Sequence, residues 1–407
     1  MATKQDILLS TRSVLATRTA LKNIVRLIPA MVIIAAMLNM LSCGNSGLLT
    51  PVNGSGSPTA TPTPSTGTLA FVTNFNDGKV SSFTRNITTG ALKHTGQVSA
   101  GAKTGPRGVV ASPGGKFLYV ANINDDNIYE YSINSTNGTL TPLTTPSISN
   151  GSGTKPDELA INSGGTLLWV TGAAGTVTSY TVDTTTGQIT SAGSIGGFSA
   201  PFGITLHPTL AVLYVSDTST GLIQPMSYNT STGALTKNFT AVHSSDGTAN
   251  KPAAIAIDSA ADSLFIADQN NGEVSSFSVD LTGALLPVAV FVNSSTSDVP
   301  IGVGMATSGG FEYLFTANQG GNSVSSFLAS LTTLTEPPTL ATGYSGATGL
   351  VVDPQNVFVY TADNGNGTVG QATINGTCGS SICAGPTVST ENPHNASSGP
   401  FGITLAQ

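Results

Sequence analysis

The sequence predicts an all-β fold: a seven-bladed β-propeller closed by pairing the C-terminal strand with the first blade. Three observations carry that prediction. An apolar phrase ending in Asn, Asp or Gly recurs seven times, from Leu69-Ala-Phe-Val-Thr-Asn74 to Phe358-Val-Tyr-Thr-Ala-Asp363, with its ends 48, 50, 45, 51, 50 and 45 residues apart. The residues Pro400-Phe-Gly-Ile-Thr-Leu405 repeat Pro201-Phe-Gly-Ile-Thr-Leu206, but the interior copy opens a full unit while the terminal copy stops there. The first unit, beginning near Thr68, lacks that opening, so one repeat is split between the two ends of the body. A ring has a reason to split a repeat, because closure removes the open sheet edge. Finally, the chain is rich in Gly and only 9% charged, which suits many short strands and turns. A right-handed β-solenoid is the rival, but its rungs are shorter and need no shared terminal unit.

In chain order, residues 1–42 read as a signal segment. Lys4, Arg12, Arg18, Lys22 and Arg26 precede an apolar run from Leu27 to Leu41 that is short for a membrane span and suited to secretion. Met40-Leu41-Ser42-Cys43 resembles a bacterial lipobox, which makes Cys43 the expected lipidation site, although Leu is usual at the Met40 position and a smaller residue at Leu41. Residues 43–66 form a Gly/Ser/Thr/Pro-rich tether that cannot bury a core. Residues 67–407 are the propeller. The expected location is the bacterial cell envelope or the extracellular space, with membrane contact through the lipid anchor alone.

Within each unit, a small or Pro-containing turn opens an apolar strand, and the recurring phrase supplies the second. Third strands follow at Val80-Ser-Ser-Phe83, Ile128-Tyr-Glu-Tyr131, Val177-Thr-Ser-Tyr180, Val274-Ser-Ser-Phe277 and Val324-Ser-Ser-Phe327. Apolar and small polar residues alternate there, as a sheet packed between neighbours requires. Turns such as Thr89-Gly-Ala-Leu92 and Thr186-Gly-Gln-Ile189 then lead to the fourth strand, with Gly supplying positive φ. Cys378 and Cys383 sit in a hairpin-like stretch and are expected to form a disulfide in an exported protein.

Pro106-Arg-Gly-Val-Val-Ala-Ser-Pro-Gly-Gly-Lys-Phe-Leu-Tyr-Val-Ala-Asn122 resembles the repeat of the seven-bladed lactonase family, which includes propeller-type 6-phosphogluconolactonases. Leu118-Tyr-Val-Ala-Asn122 is also similar to the YVTN repeat of surface-layer propellers. The family resemblance implies hydrolysis of a sugar lactone at the channel mouth.

The residues following each opening Pro or its equivalent are Arg107-Gly108, Asp157-Glu158, Phe202-Gly203, Ala253-Ala254, Ile301-Gly302, Thr348-Gly349 and Phe401-Gly402. Family members resembling this pattern often carry His or a charged residue where Gly stands here. Gly is expected to let the backbone crowd the channel while offering no acid, base or anion hook. Lactone hydrolysis needs a base for water and donors for the oxyanion. The candidate constellation is Arg107, Asp125, Asp126, Lys155, Asp157 and Glu158, with Glu158 or Asp157 as base and Arg107 and Lys155 as anion holders. A solvated loop cluster of surface pairs is the plainer reading of the same residues.

The histidines add little: His207-Pro208 reads as a structural turn, His94 as a packing residue, and His243 and His394 as loop residues, with Glu391 near the last. No convincing metal-ligand set or cofactor motif emerges. Asp268-Gln-Asn-Asn271 and Asp363-Asn-Gly-Asn366 carry enough oxygens for Ca²⁺, but turn capping explains them more simply.

The full chain carries −7 and residues 1–42 carry +4, so the remainder carries −11, which argues against nucleic acid as a partner. A monomeric binding module for a glycan, a protein or a small lactone is the leading expectation. Lactone hydrolysis is the alternative, and a neutral or carboxylated lactone fits export better than a phosphorylated one.

Overall fold

The computed structural model describes residues 69–244, 250–270, 272–293, 298–308, 310–329, 334–335, 341–374 and 399–406. The signal segment, the tether with Cys43, the Cys378–Cys383 hairpin, and Glu391 and His394 lie outside the described residues.

The recurring apolar phrases become the second strands of seven antiparallel sheets among the described residues. In blade 1 these are Leu69–Asn74 followed by Lys79–Arg85 and Leu92–Ser99, and the innermost strand is Pro400–Ala406 from the far end of the chain. Leu69 pairs with Ala406 and Val72 with Ile403, so the split repeat closes the ring. The inner strands of blades 2 to 7 are Pro106–Ala111, Pro156–Ile161, Pro201–Leu206, Pro252–Ile257, Pro300–Ser308 and Ala347–Val352. Each touches the inner strand on either side of it, completing the circle.

Phe117–Asn122, Leu167–Gly172 and Val212–Asp217 are buried along their whole length, because a neighbouring blade covers each face of the sheet. This explains why the second strands read as continuous apolar runs. Their central aromatics also hold the seams. The Tyr119 hydroxyl donates to the Gly187 carbonyl at 2.8 Å, Trp169 Nε1 to that of Gly233 at 2.8 Å, Tyr214 to Gly283 at 2.9 Å and Tyr360 to Gly90 at 2.7 Å. In each case the acceptor is the glycine of the following blade's turn into its outer strand. Burying such a ring contributes roughly 1.5–3 kcal/mol, and its polar tip needs the partner it finds.

The seam between blades 7 and 1 carries an additional clasp. Arg85 Nη1 donates to Asp353 Oδ2 at 3.0 Å and Nη2 to Gln355 Oε1 at 2.6 Å, and the side chains of Arg85 and Asp353 are wholly buried. Asp353 Oδ1 accepts from the backbone of Val357 and Phe358, each at 2.6 Å. Gln371 adds a bond to the Thr89 carbonyl at 2.9 Å.

Candidate functional site

Every inner strand breaks register with its second strand near its start: between Pro106 and Val109, Pro156 and Leu159, Pro201 and Ile204, Pro252 and Ile255, Pro300 and Gly302, Ala347 and Leu350, and opposite Val72 and Asn74. A β-bulge frees its extra residue from the ladder and re-aims its side chain. Of the residues so placed, Arg107, Asp157, Phe202, Ile301, Thr348 and Phe401 border the cavities around the channel mouth, and Ala253 packs against them.

The glycines behind these residues do more than let the backbone crowd the channel, which Gly203, Gly302, Gly349 and Gly402 line. A Cβ on Gly108 would lie 2.2 Å from the Asp157 carbonyl oxygen, on Gly203 2.3 Å from that of Ala253, on Gly302 2.3 Å from that of Thr348, and on Gly402 2.3 Å from that of Arg107. Each faces the backbone of the following blade, and glycine permits that approach. Hydroxyls stitch the same contact. The Gly402 amide donates to Thr73 Oγ1, which itself donates to the Arg107 carbonyl at 2.6 Å. Thr171 joins the Glu158 amide to the Phe202 carbonyl, and Ser216 joins the Gly203 amide to the Ala253 carbonyl.

At the mouth, Arg107 Nη1 donates to Asp157 Oδ2 at 2.5 Å. Its guanidinium carbon stands 4.1 Å from the centroid of the Phe401 ring and 5.6 Å from that of Phe202. Phe202 and Phe401 pack with Ala253 and Ile301 into an apolar collar. Arg107 is thus held by charge on one side and by aromatic faces on others. Two polar atoms of this pair, Arg107 Nε and Asp157 Oδ1, are buried without a hydrogen-bond partner. Burial raises the Asp157 carboxyl to about 6, although Arg107 pulls it the other way.

Above the collar lies a cavity of about 570 Å³. Arg107, Asp157 and Phe202 border it, together with Thr218, Ser219, Asn250, Lys251, Gln269 and Asn270 from the loops of blades 4 and 5. Below the collar, a channel cavity of about 160 Å³ runs among aliphatic side chains, and Glu158 lines it. Glu158 is half-buried and lines the channel, and loss of water around its carboxyl raises it to about 8, helped by the nearby Asp157 charge and opposed by Arg107. Phe202 borders both cavities.

The fold therefore brings Arg107 and Asp157 together and places Glu158 in the adjoining channel. The Asp125 and Asp126 carboxylates have other engagements, and Lys155 takes part through its backbone amide. Asp125 Oδ2 accepts from the Tyr129 hydroxyl at 2.7 Å, while Asp126 accepts from the backbone amides of Gly153 and Lys155 at 2.7 and 2.8 Å. Neither cavity is bordered by any of these three.

The cavity's amide and hydroxyl wall was not singled out from the sequence, although Gln269 and Asn270 lie in one of the oxygen-rich loops. Asp268 in that loop accepts from the Lys251 amide, the Ser244 hydroxyl and the Asn270 amide, which is turn capping. On the opposite face, His207 Nδ1 accepts from the amides of Thr209 and Leu210, a structural turn. Among the described residues no group of three or more His, Cys, Asp or Glu side chains is placed to hold a metal ion.

The family model described as "Lactonase, 7-bladed beta-propeller" matches residues 53–155 and 166–302. The chain belongs to this lactonase family. Among solved structures, it is similar to a putative 6-phosphogluconolactonase from Bacteroides fragilis, with 15% identity, a TM-score of 0.71, and coverage of 85% of this chain and 99% of that one. It is also similar to a periplasmic gluconolactonase from Pseudomonas aeruginosa, with 13% identity, a TM-score of 0.65, and coverage of 84% and 99%. At these identities the likeness is one of fold. No curated protein matches.

Proposed function

We propose that this lactonase-family propeller is a ligand-binding module of the cell envelope that receives a small, oxygen-rich molecule, such as a glycan unit or an uncharged lactone, in the cavity above its collar. One observation carries the reading: the cavity is bordered by the partly exposed Arg107 side chain, anchored by Asp157, beside a wall of amides and hydroxyls. The guanidinium donors and the amides together suit a ligand that carries hydroxyl and carbonyl oxygens. Asp157 offsets the Arg107 charge, leaving Lys251 as the other cation bordering the cavity, so a phosphorylated sugar is a poor complement.

Export and lipid attachment at Cys43 complete the proposal and rest on the sequence of residues 27–43. Metabolic labelling with an alkyne fatty acid should mark the wild-type protein and not Cys43→Ala; equal labelling of both would remove the anchor.

The binding test is calorimetric titration of the purified protein with a panel of oligosaccharides and lactones. Saturable binding that weakens at least tenfold in Arg107→Ala supports the proposal. Affinity unchanged in that variant, or no binding by a folded sample, contradicts it.

Lactone hydrolysis is the second reading, favoured by a carboxyl, Asp157, paired with a guanidinium at the border of the cavity and by the likeness to a protein described as a periplasmic gluconolactonase. In that reading Asp157 activates water and Arg107 holds the oxyanion. Glu158 is a poor neutral-pH base because it is protonated below about 8.

A further inference from the structure

The channel below the collar has a chemistry different from that of the cavity above it. Val109, Ile204, Ile255, Val303, Leu350 and Ile403 line it, one from each of six inner strands and all at the same position after the bulge. Among the described residues, Glu158 is the only ionisable one that lines this cavity. Its carboxyl makes no hydrogen bond to the described protein, whereas its backbone amide is satisfied by Thr171.

A cavity of about 150 Å³ accepts a molecule the size of benzene. The channel here has about 160 Å³, and besides its six aliphatic side chains its wall includes Glu158, Thr348 and the glycines Gly203, Gly302, Gly349 and Gly402. An anionic ligand would find no cationic side chain among the described residues that line the channel, and an ammonium ligand would require both itself and Glu158 to be charged and desolvated. A neutral Glu158 carboxyl is a hydrogen-bond donor.

We infer that the central channel is a second ligand site, for a compact uncharged molecule whose apolar body packs against these aliphatic side chains and whose carbonyl oxygen accepts a hydrogen bond from Glu158. The site is distinct from the upper cavity: the two share Phe202, but the six aliphatic residues border only the channel.

The test uses cyclopentanone carrying ¹³C at its carbonyl, titrated into the purified full-length protein at pH 6 and followed through the carbonyl resonance. Four proteins are compared: wild type, Glu158→Gln, Glu158→Leu and Val303→Phe, each shown to keep the wild-type circular dichroism spectrum and melting temperature within a few degrees. If a variant misfolds, Val303→Leu or Glu158→Met takes its place.

Saturable binding with a downfield-shifted carbonyl is expected for wild type and for Glu158→Gln, whose amide still donates. At least tenfold weaker binding is expected without the donor, and at least tenfold weaker binding with the channel filled. The inference is overturned by failure of folded wild type to bind, by full affinity without the donor, or by equal loss in Glu158→Gln and Glu158→Leu. Full binding in the channel-filled variant would overturn it too, placing the ketone elsewhere.

Discussion

Replacing Glu158 by Gln should stabilise the protein, and by more as pH rises. Glu158 titrates near 4.5 when unfolded and is raised to about 8 when folded, chiefly by burial and then by Asp157. A carboxyl with a raised folded value is easiest to accommodate below its unfolded pKa, and its contribution turns unfavourable as pH climbs through the window between the two. Each unit of difference corresponds to about 1.4 kcal/mol. Between pH 4 and pH 7, ionisation of Glu158 in the unfolded state therefore disfavours the native state by roughly 3 kcal/mol, and by pH 9 by roughly 5 kcal/mol. Gln keeps the size and a donor but cannot ionise.

Urea unfolding at pH 4, 7 and 9 measures the difference. The single tryptophan of the chain, Trp169, is fully buried and reports the transition through its fluorescence. Asp157 is raised as well, to about 6, but it is present in both proteins. A stability gap between variant and wild type that stays constant from pH 4 to pH 9 would refute the reasoning, because it would mean that Glu158 ionises as freely in the fold as in water.

Three further outcomes follow from the seams and bulges. Arg85→Ala leaves Asp353 buried without its guanidinium partner between blades 7 and 1 and frees Gln355, and denaturant unfolding should show a loss of about 3–5 kcal/mol. Gly203→Ala puts a Cβ 2.3 Å from the Ala253 carbonyl oxygen, so blades 4 and 5 must part, and unfolding should reveal a loss of about 1–3 kcal/mol. Thr171→Val removes the hydroxyl between the Glu158 amide and the Phe202 carbonyl, costing about 1–3 kcal/mol and accelerating hydrogen exchange at the Glu158 amide.

The fold was legible because a repeated unit shows the same physics seven times. A second strand covered on both faces must be apolar throughout, and a tight turn needs Gly, so period and punctuation survive divergence among the blades. The clustering of Arg107, Asp157 and Glu158 around the mouth was legible in the same way, since all three follow the opening prolines of adjacent blades. What the repeat pattern hid was side-chain direction. A bulge turns adjacent residues apart, so Asp157 meets Arg107 beneath the upper cavity while Glu158 enters the channel. Asp125 and Asp126 look equally suited to a site, yet their carboxylates accept loop hydrogen bonds, which a string of letters does not distinguish from free charge. The bulge glycines read only as letting the backbone crowd the channel, because the carbonyl each one faces belongs to another blade, distant in sequence.

The most direct test of the central claim is pH-stat turnover of sugar and simple lactones by the purified protein, with Arg107→Ala and Asp157→Asn beside it. A binding propeller predicts no consumption of base above the buffer rate for any lactone, including those that bind in calorimetry. Saturable hydrolysis that disappears in both variants, while their folds and melting temperatures are kept, would contradict the account and make the Arg107–Asp157 pair the centre of an enzyme.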